Sequence, residues 1–276
     1  MQFTKMQGAG NDFILVNGLK EIKENWGEFA KKVCDRHFGI GADGLMFCSN
    51  SKIADIKMNY YNSDGSRAEM CGNGIRCFSK FVFDNKIVKK KNFLVETDAG
   101  IKNIKLELDE MEKIKYIIVD MGKIDFRAEL ISNITEDKFI LNKEIEVVGK
   151  KVRISSVSMG VPHTVLFVDN FSNCDVNILG KEIEKLKIFK NKTNVNFIKK
   201  IDETTLEIKT WERGAGRTLA CGTGCCASAG IAKKLGIVKE NKVLMKTEGG
   251  DVKIEIGEDY NIIMVGEAEK IFTGEI

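Results

Sequence analysis

The sequence predicts an α+β fold of two pseudo-symmetric lobes, and three observations carry that reading. Short β-rich runs outnumber helical patterns, and the two do not alternate as a doubly wound parallel sheet requires. A set of residues in the first half returns in the same order about 150 residues later. With 276 residues, 43% of them apolar, the chain can bury substantial cores without disulfide staples.

From the N-terminus, alternating or β-branched runs predict strands over Phe13–Val16, Lys52–Tyr61, Lys102–Leu108 and Tyr116–Asp120. A second series follows over Thr164–Val168, Thr205–Trp211, Val252–Ile256 and Asn261–Val265. Helical spacing is found over Trp26–Cys34, Gly74–Phe83, Asn177–Lys187 and Gly224–Leu235.

The repeat has two parts. At an offset of 152, Gly8-Ala-Gly-Asn-Asp-Phe-Ile-Leu-Val16 lines up with Gly160-Val-Pro-His-Thr-Val-Leu-Phe-Val168, which sets His163 opposite Asn11. At an offset of 150, Tyr61-Asn62 answers Trp211-Glu212, Arg67 answers Arg217, and Cys71-Gly-Asn-Gly74 answers Cys221-Gly-Thr-Gly224. No Pro/Gly/Ser linker separates the copies, and Pro162 is the only proline. The boundary is placed at Met121-Gly122, where the β-rich run ends, giving an N-terminal lobe of residues 1–121 and a C-terminal lobe from 122.

Composition removes several functions. The net charge of +3, from 43 basic and 40 acidic residues, is too small and dispersed for a nucleic-acid footprint. The one basic run, Lys89-Lys90-Lys91, reads as a solvated turn. Eight cysteines without paired Cys-x-x-Cys knuckles, and only two histidines, argue against a zinc site, so no metal ligands are assigned. The opening Met1-Gln-Phe-Thr-Lys-Met lacks the pattern of a secretion signal, and a reduced, cytoplasmic protein is expected. No window approaches the ~18 uninterrupted apolar residues of a membrane span.

The Cys-Gly-x-Gly elements carry the chemistry. Glycines after each cysteine let backbone amides approach a ligand, and a helix starting there adds the positive end of its dipole. That makes a carboxylate or phosphate cradle. The same field is expected to lower the cysteine pKa from about 8.5, so that each lobe offers an anion site and a base. Two such units facing one substrate would set two sulfurs on opposite sides of one carbon, the arrangement that inverts a stereocentre. Amides on the substrate carboxylate would stabilise the charge that develops as the α-proton leaves.

Plainer readings compete. Gly222-Thr-Gly224-Cys-Cys-Ala227 and Gly39-Ile-Gly41-Ala-Asp-Gly44 formally fit a dinucleotide fingerprint, but neither runs straight off a strand into a helix. Cys34, Cys48, Cys77, Cys174, Cys225 and Cys226 read as small core residues, whereas glycine context and mutual register single out Cys71 and Cys221. His163 follows a proline that fixes its backbone; alone it would read as structural, and its register with Asn11 favours function. Glu212 and Arg213 could be an exposed charge pair on a loop, although Asn62 holds the place equivalent to Glu212.

These residues resemble the cofactor-independent diaminopimelate epimerases. The resemblance rests on Gly8-Ala-Gly-Asn-Asp-Phe13, Arg36-His-Phe-Gly-Ile-Gly-Ala-Asp-Gly44, the run from Asn62 to Cys77, and Glu96-Thr-Asp-Ala-Gly100. It continues through Met159-Gly-Val-Pro-His163, Thr193-Asn-Val-Asn-Phe197, Trp211 to Gly224, and Gly266-Glu-Ala-Glu-Lys-Ile-Phe272, so that it spans essentially the whole chain. It implies lobes that are each a strand-rich, barrel-like sheet around a central helix, with the active site in the cleft between them. It also implies a final strand, 267–276, returning to the first lobe, which leaves 122–266 as the second.

The implied activity is interconversion of LL- and meso-diaminopimelate on the route to lysine and peptidoglycan, by two cysteine acid/bases and with neither pyridoxal phosphate nor metal. Carried over by position, Cys71 and Cys221 are the acid/base pair, and Gly72, Asn73, Gly222 and Thr223 cradle the reacting carboxylate. Asn11, Asn62, Asn194 and Arg213 contact the amino-acid substrate, and His163 and Glu212 polarise and orient the cysteines. A homodimer would fit the same resemblance.

Two departures bear on the substrate. Val161 stands where the family usually has asparagine between its Met-Gly and Pro-His pairs, and Gly44 stands where some members carry an amide. Losing one polar partner in such a site costs roughly 1–3 kcal/mol. A racemase or epimerase of histidine or lanthionine is therefore the alternative within the class. Outside it, the alternative is a non-catalytic anion-binding or thiol redox module.

Overall fold

A computed structural model describes residues 1–20, 23–133 and 137–276 of the chain. The chain divides into two compact units, Met1–Asp120 with Val265–Ile276, and Met121–Met264.

The first unit begins with the hairpin β1 (Gln2–Gly8) and β2 (Asn11–Val16), followed by helix α1 (Trp26–Cys34) and strand β3 (Gly44–Ser49). Then come β4 (Ile56–Asn62), the short β5 (Arg67–Ala68), helix α2 (Gly72–Asp84), β6 (Asn92–Thr97) and β7 (Gly100–Leu108). Strand β8 (Ile114–Lys123) leads into the second unit. There β9 (Ile140–Val147), β10 (Lys150–Ser158), β11 (Pro162–Phe167), α3 (Val176–Glu184), β12 (Asn194–Lys200) and β13 (Thr205–Glu212) follow in order. They lead to β14 (Gly216–Thr218), α4 (Gly222–Lys234), β15 (Lys242–Thr247), β16 (Gly250–Ile256) and β17 (Asn261–Gly266). The last strand, β18 (Glu269–Glu275), pairs antiparallel with β1.

Both units use one topology. In the first, β1 pairs antiparallel with β2, β2 parallel with β3, β3 antiparallel with β4, and β4 parallel with β6, which pairs antiparallel with β7. In the second, β10, β11, β12, β13, β15 and β16 repeat those pairings in the same order and sense. Each parallel pair is joined by a helical crossover, and each unit is an α+β fold.

Burial follows from that topology. Strands β2 and β3 are buried along nearly their whole length, because α1 packs on β3 while α2 packs on β1, β2 and β3. In the second unit α4 packs on β10, β11, β12 and β13, while α3 packs on β12 and β13. Helix α2 buries residues on all its faces, including Ile75, Cys77, Phe78 and Val82, and α4 does the same with Cys225, Cys226, Ala229 and Ile231. Each is the central helix of its unit. By contrast α1 and α3 each bury one stripe and start at an Asn25 or Asp175 cap whose oxygen accepts helix amides.

Some boundaries differ from the sequence expectation. Strand β4 starts at Ile56 rather than Lys52, since residues 52–55 form a bend tied down by Ser51 and Asp55. The central helices start at Gly72 and Gly222, two residues earlier than the apolar spacing suggests, because the glycines belong to their first turns. Among the described residues no helix is long and apolar enough to cross a membrane.

Candidate active site

In each unit the chain ends of several strands meet the start of the central helix. Strand β2 begins at Asn11, β3 begins at Gly44 and β4 ends at Asn62, and Gly44 pairs with both Phe13 and Asn62. The matching row in the second unit is Pro162 and His163, Asn194, and Glu212. Behind each row stands a cysteine at the N-cap of a central helix, Cys71 for α2 and Cys221 for α4.

The loop entering each cysteine is clamped the same way twice. Arg67 in β5 pairs with Asp98 in the turn after β6, and Arg217 in β14 pairs with Glu248 in the turn after β15. The partners, like the arginines, stand 150 residues apart. Thr97 and Thr247 close those turns identically, each hydroxyl donating 2.6 Å to the carbonyl of Gly100 or Gly250.

Cys71 is half-buried and fills the cap role itself. The amide of Gly74 donates to its Sγ at 3.4 Å, and the thiol reaches Asn11 Oδ1 at 3.5 Å. Asn11 in turn donates through Nδ2 to Asp43, whose carboxylate also accepts from Arg36 at 2.8 Å. Asp43 can only accept, so the amide of Asn11 is oriented with its oxygen toward Cys71. The Asp12 carboxyl beside it would be raised by its burial, but hydrogen bonds from Arg36 and Lys5 overcome this and hold it down to about 2. Asn62 donates to Ser66 Oγ at 3.0 Å, closing the turn before β5. Gly72 and Asn73 are buried in the first turn of α2.

Cys221 differs. It is 6% exposed, its side chain makes no cap hydrogen bond, and its Sγ lies 3.5 Å from Thr223 Oγ1. Burial pushes its pKa well above the ordinary thiol range, and the carboxylate of Glu212 pushes the same way; Thr223 and the Gly224 amide oppose them and lose. The expectation that the helix terminus makes this cysteine a partial thiolate is therefore corrected. Desolvation and the negative charge of Glu212 both favour the protonated thiol.

Glu212 accepts from Thr218 Oγ1 at 2.6 Å. Arg213 is fixed by its backbone amide on Asn194 Oδ1 (2.9 Å) and by its guanidinium on the Asn191 carbonyl (3.0 Å), while Asn194 Nδ2 donates to the Pro162 carbonyl (3.0 Å). Gly222 is buried and Thr223 half-buried at the start of α4. Val161 stands in the turn before β11, its carbonyl accepting from Met159.

His163 is fully buried in β11, with Nδ1 3.2 Å from Asn196 Nδ2. Burial, helped by the charge of Arg213, drops its pKa to about 3, so the ring is neutral. Its Nε2 has no hydrogen-bond partner among the described residues. A buried polar group without a partner costs about 1–3 kcal/mol. The expected register with Asn11 is also corrected. Phe13 pairs with Gly44 and His163 with Asn194, so the 150-residue offset extends into these strands and His163 occupies the place of Phe13. The 150 offset also holds in the turns, where Gly10 and Gly160, both at positive φ, correspond. The turn Ala9-Gly10 has two residues, whereas residues 159–161 make a three-residue connection.

The sequence reading thus finds residues that gather within each unit: Asn11 and Cys71 in the first, and Asn194 and Arg213, or Glu212 and Cys221, in the second. It misses two supports. Glu184, on the buried stripe of α3, accepts from Trp211 Nε1 (2.8 Å) and the Gly214 amide (3.3 Å), and so holds the loop that carries Glu212 and Arg213. An acid in step with Gly180 and Ile183 on an apolar face is the signal that could have revealed it. Asn196 is the other, and its signal was only a polar residue inside a buried β-run.

Comparison with known proteins bears on what this site does. The family model described as diaminopimelate epimerase matches residues 3–126 and 155–271. Proteins named diaminopimelate epimerase from Alkaliphilus metalliredigens and Acetivibrio thermocellus are 45% and 47% identical to this chain. The alignments cover 99% and 100% of this chain, and 96% and 98% of theirs. Among solved structures, a hydroxyproline epimerase from Agrobacterium vitis with bound trans-4-hydroxy-L-proline has a TM-score of 0.74 at 13% identity, covering 100% of this chain and 90% of its own. A Bacillus anthracis phenazine biosynthesis protein of the PhzF family has a TM-score of 0.71 at 16% identity, over 100% and 98%. At those identities the solved structures speak to the fold alone.

Proposed function

The chain belongs to the diaminopimelate epimerase family, and we propose that it interconverts LL- and meso-diaminopimelate, with Cys71 and Cys221 as the acid/base pair. The observation that carries the cysteine assignment is their repetition. Each unit supplies one thiol at the N-cap of its central helix, behind the same Arg-carboxylate clamp and ahead of the same glycine.

Inversion at an α-carbon needs a base on one face and an acid on the other. In one direction Cys71 is the base and Cys221 the acid, and in the other direction they exchange roles. The Cys71 thiolate takes the α-proton and becomes a thiol; Cys221 gives its proton to the opposite face and becomes a thiolate; the reverse reaction restores both. Charge passes to the substrate carboxylate as the proton leaves, and the first-turn amides at Gly72 and Asn73, and at Gly222 and Thr223, are the donors assigned to it. Asn11, Asn62, Asn194 and Arg213 bind the rest of the amino acid. Burial and then Glu212 favour the thiol form of Cys221, and His163 and Glu212 are assigned to polarise and orient the cysteines.

The setting that goes with this activity is a reduced cytoplasm, on the route to lysine and peptidoglycan, with a homodimer as the assembly. The test is to give the purified chain LL-diaminopimelate, L-lanthionine and L-histidine separately and to resolve the stereoisomers of each. Formation of meso-diaminopimelate supports the proposal. Turnover of lanthionine or histidine alone would move the substrate, as Val161 allows, and no turnover of any would end it.

A further inference from the structure

We propose that Asn196 is a positioning residue that holds His163 as the tautomer protonated on Nε2, so that the ring offers a hydrogen-bond donor and not a base. The role of that donor in the reaction rests on the function proposed above; the tautomer does not.

The inference follows from three neighbouring strands. Asn196 in β12 lies between Val165 of β11 and Thr210 of β13 in the sheet register. Its Nδ2 faces the Thr164 carbonyl at 3.4 Å and His163 Nδ1 at 3.2 Å, and its Oδ1 accepts from Thr210 Oγ1 at 3.2 Å. A carbonyl oxygen only accepts, so the Thr164 carbonyl fixes which end of the amide faces it. The amide nitrogen only donates, so His163 Nδ1 must accept. A neutral imidazole with a lone pair on Nδ1 carries its proton on Nε2.

The other unit shows that this is a built feature. The places of His163, Asn196 and Thr210 are held there by Phe13, Met46 and Tyr60, with the Phe13 and Tyr60 rings edge to face at 6.0 Å. All six side chains are buried. Two aromatic rings and a thioether in one unit are thus replaced in the other by a chain of three polar groups ending in a buried Nε2 that has no partner among the described residues. A donor held so rigidly by sheet neighbours suits a group that gathers negative charge, a carboxylate or a thiolate.

Long-range proton–nitrogen spectra of the full chain labelled at histidine test this directly. The chain has two histidines, and His163→Phe identifies the buried ring. The expected spectrum has Nδ1 pyridine-like and Nε2 pyrrole-like. Asn196→Asp replaces the donor with a carboxylate and should switch the proton to Nδ1, with kcat falling at least about tenfold and KM little changed. A pyrrole-like Nδ1 in the unmodified chain, a measurement that needs no variant to fold, would overturn the tautomer. An unchanged tautomer in Asn196→Asp would overturn the role of Asn196. A chain that lacks epimerase activity yet shows protonated Nε2 would refute the function and leave the tautomer standing.

Discussion

The carboxylate of Glu212 acts on the thiol of Cys221 by raising its pKa, in the same direction as the thiol's burial. A helix N-terminus usually favours a thiolate, whereas burial and Glu212 both favour the thiol. Glu212→Gln keeps a hydrogen-bond acceptor for Thr218 and removes the charge. The pH profile of Cys221 alkylation, read by peptide mass spectrometry, should move to lower pH while epimerisation falls. An unmoved profile would mean that burial alone sets the thiol.

The two central helices should tolerate a methyl group unequally. A Cβ on Gly74 would lie 2.0 Å from the terminal carbon of Met46, a flexible end that can swing away, whereas on Gly224 it would lie 2.4 Å from Oδ1 of the hydrogen-bonded Asn196. Gly224→Ala should therefore cost about 1–3 kcal/mol of stability and Gly74→Ala less. Denaturant midpoints of the two variants check the order, and equal losses would contradict it.

His163 gives stability a pH slope. Its pKa falls from 6.5 to about 3 on folding, so between those values the unfolded chain binds a proton that the folded chain refuses. Stability is full above pH 6.5 and is lost as pH falls toward 3, at about 1.4 kcal/mol per unit. His163→Phe, which copies the residue at the matching place in the first unit, removes this contribution. Unfolding free energies at pH 7 and pH 5 should show the parent losing roughly 2 kcal/mol more than the variant; parallel losses would show that the histidine is protonated in the fold.

Much of this was legible in the sequence, for a physical reason. Helix caps and close glycine approaches constrain local composition, so Cys71 and Cys221 with their glycines were visible, as was the repeat of Arg67 in Arg217. Among the strands that local patterns did not show, β3 and β12 are buried along most of their length and so carry no alternation, while β5 and β14 have two and three residues, too few for a period. The partners Asp98 and Glu248 escaped because a pair across a turn leaves no period. The upward push on the Cys221 thiol is not legible because burial is a property of the fold, and no spacing in the segment from Arg213 to Cys226 reveals it. The match of His163 to Asn11 sets Gly8 against Gly160, whereas the positive-φ glycines Gly10 and Gly160 correspond, and only backbone conformation and sheet register separate the two alignments.

The central claim is that two cysteines, one from each unit, exchange the α-proton with solvent. The most direct measurement is deuterium incorporation at the α-carbon of LL-diaminopimelate in D2O under reducing conditions, for the parent chain and for Cys71→Ala, Cys221→Ala and Cys225→Ala. The parent should incorporate deuterium as it epimerises, the first two variants should not turn over, and Cys225→Ala should stay within about a few-fold of the parent, as expected for a buried helix residue. Turnover by either Cys71→Ala or Cys221→Ala, or its loss in Cys225→Ala, would contradict the account.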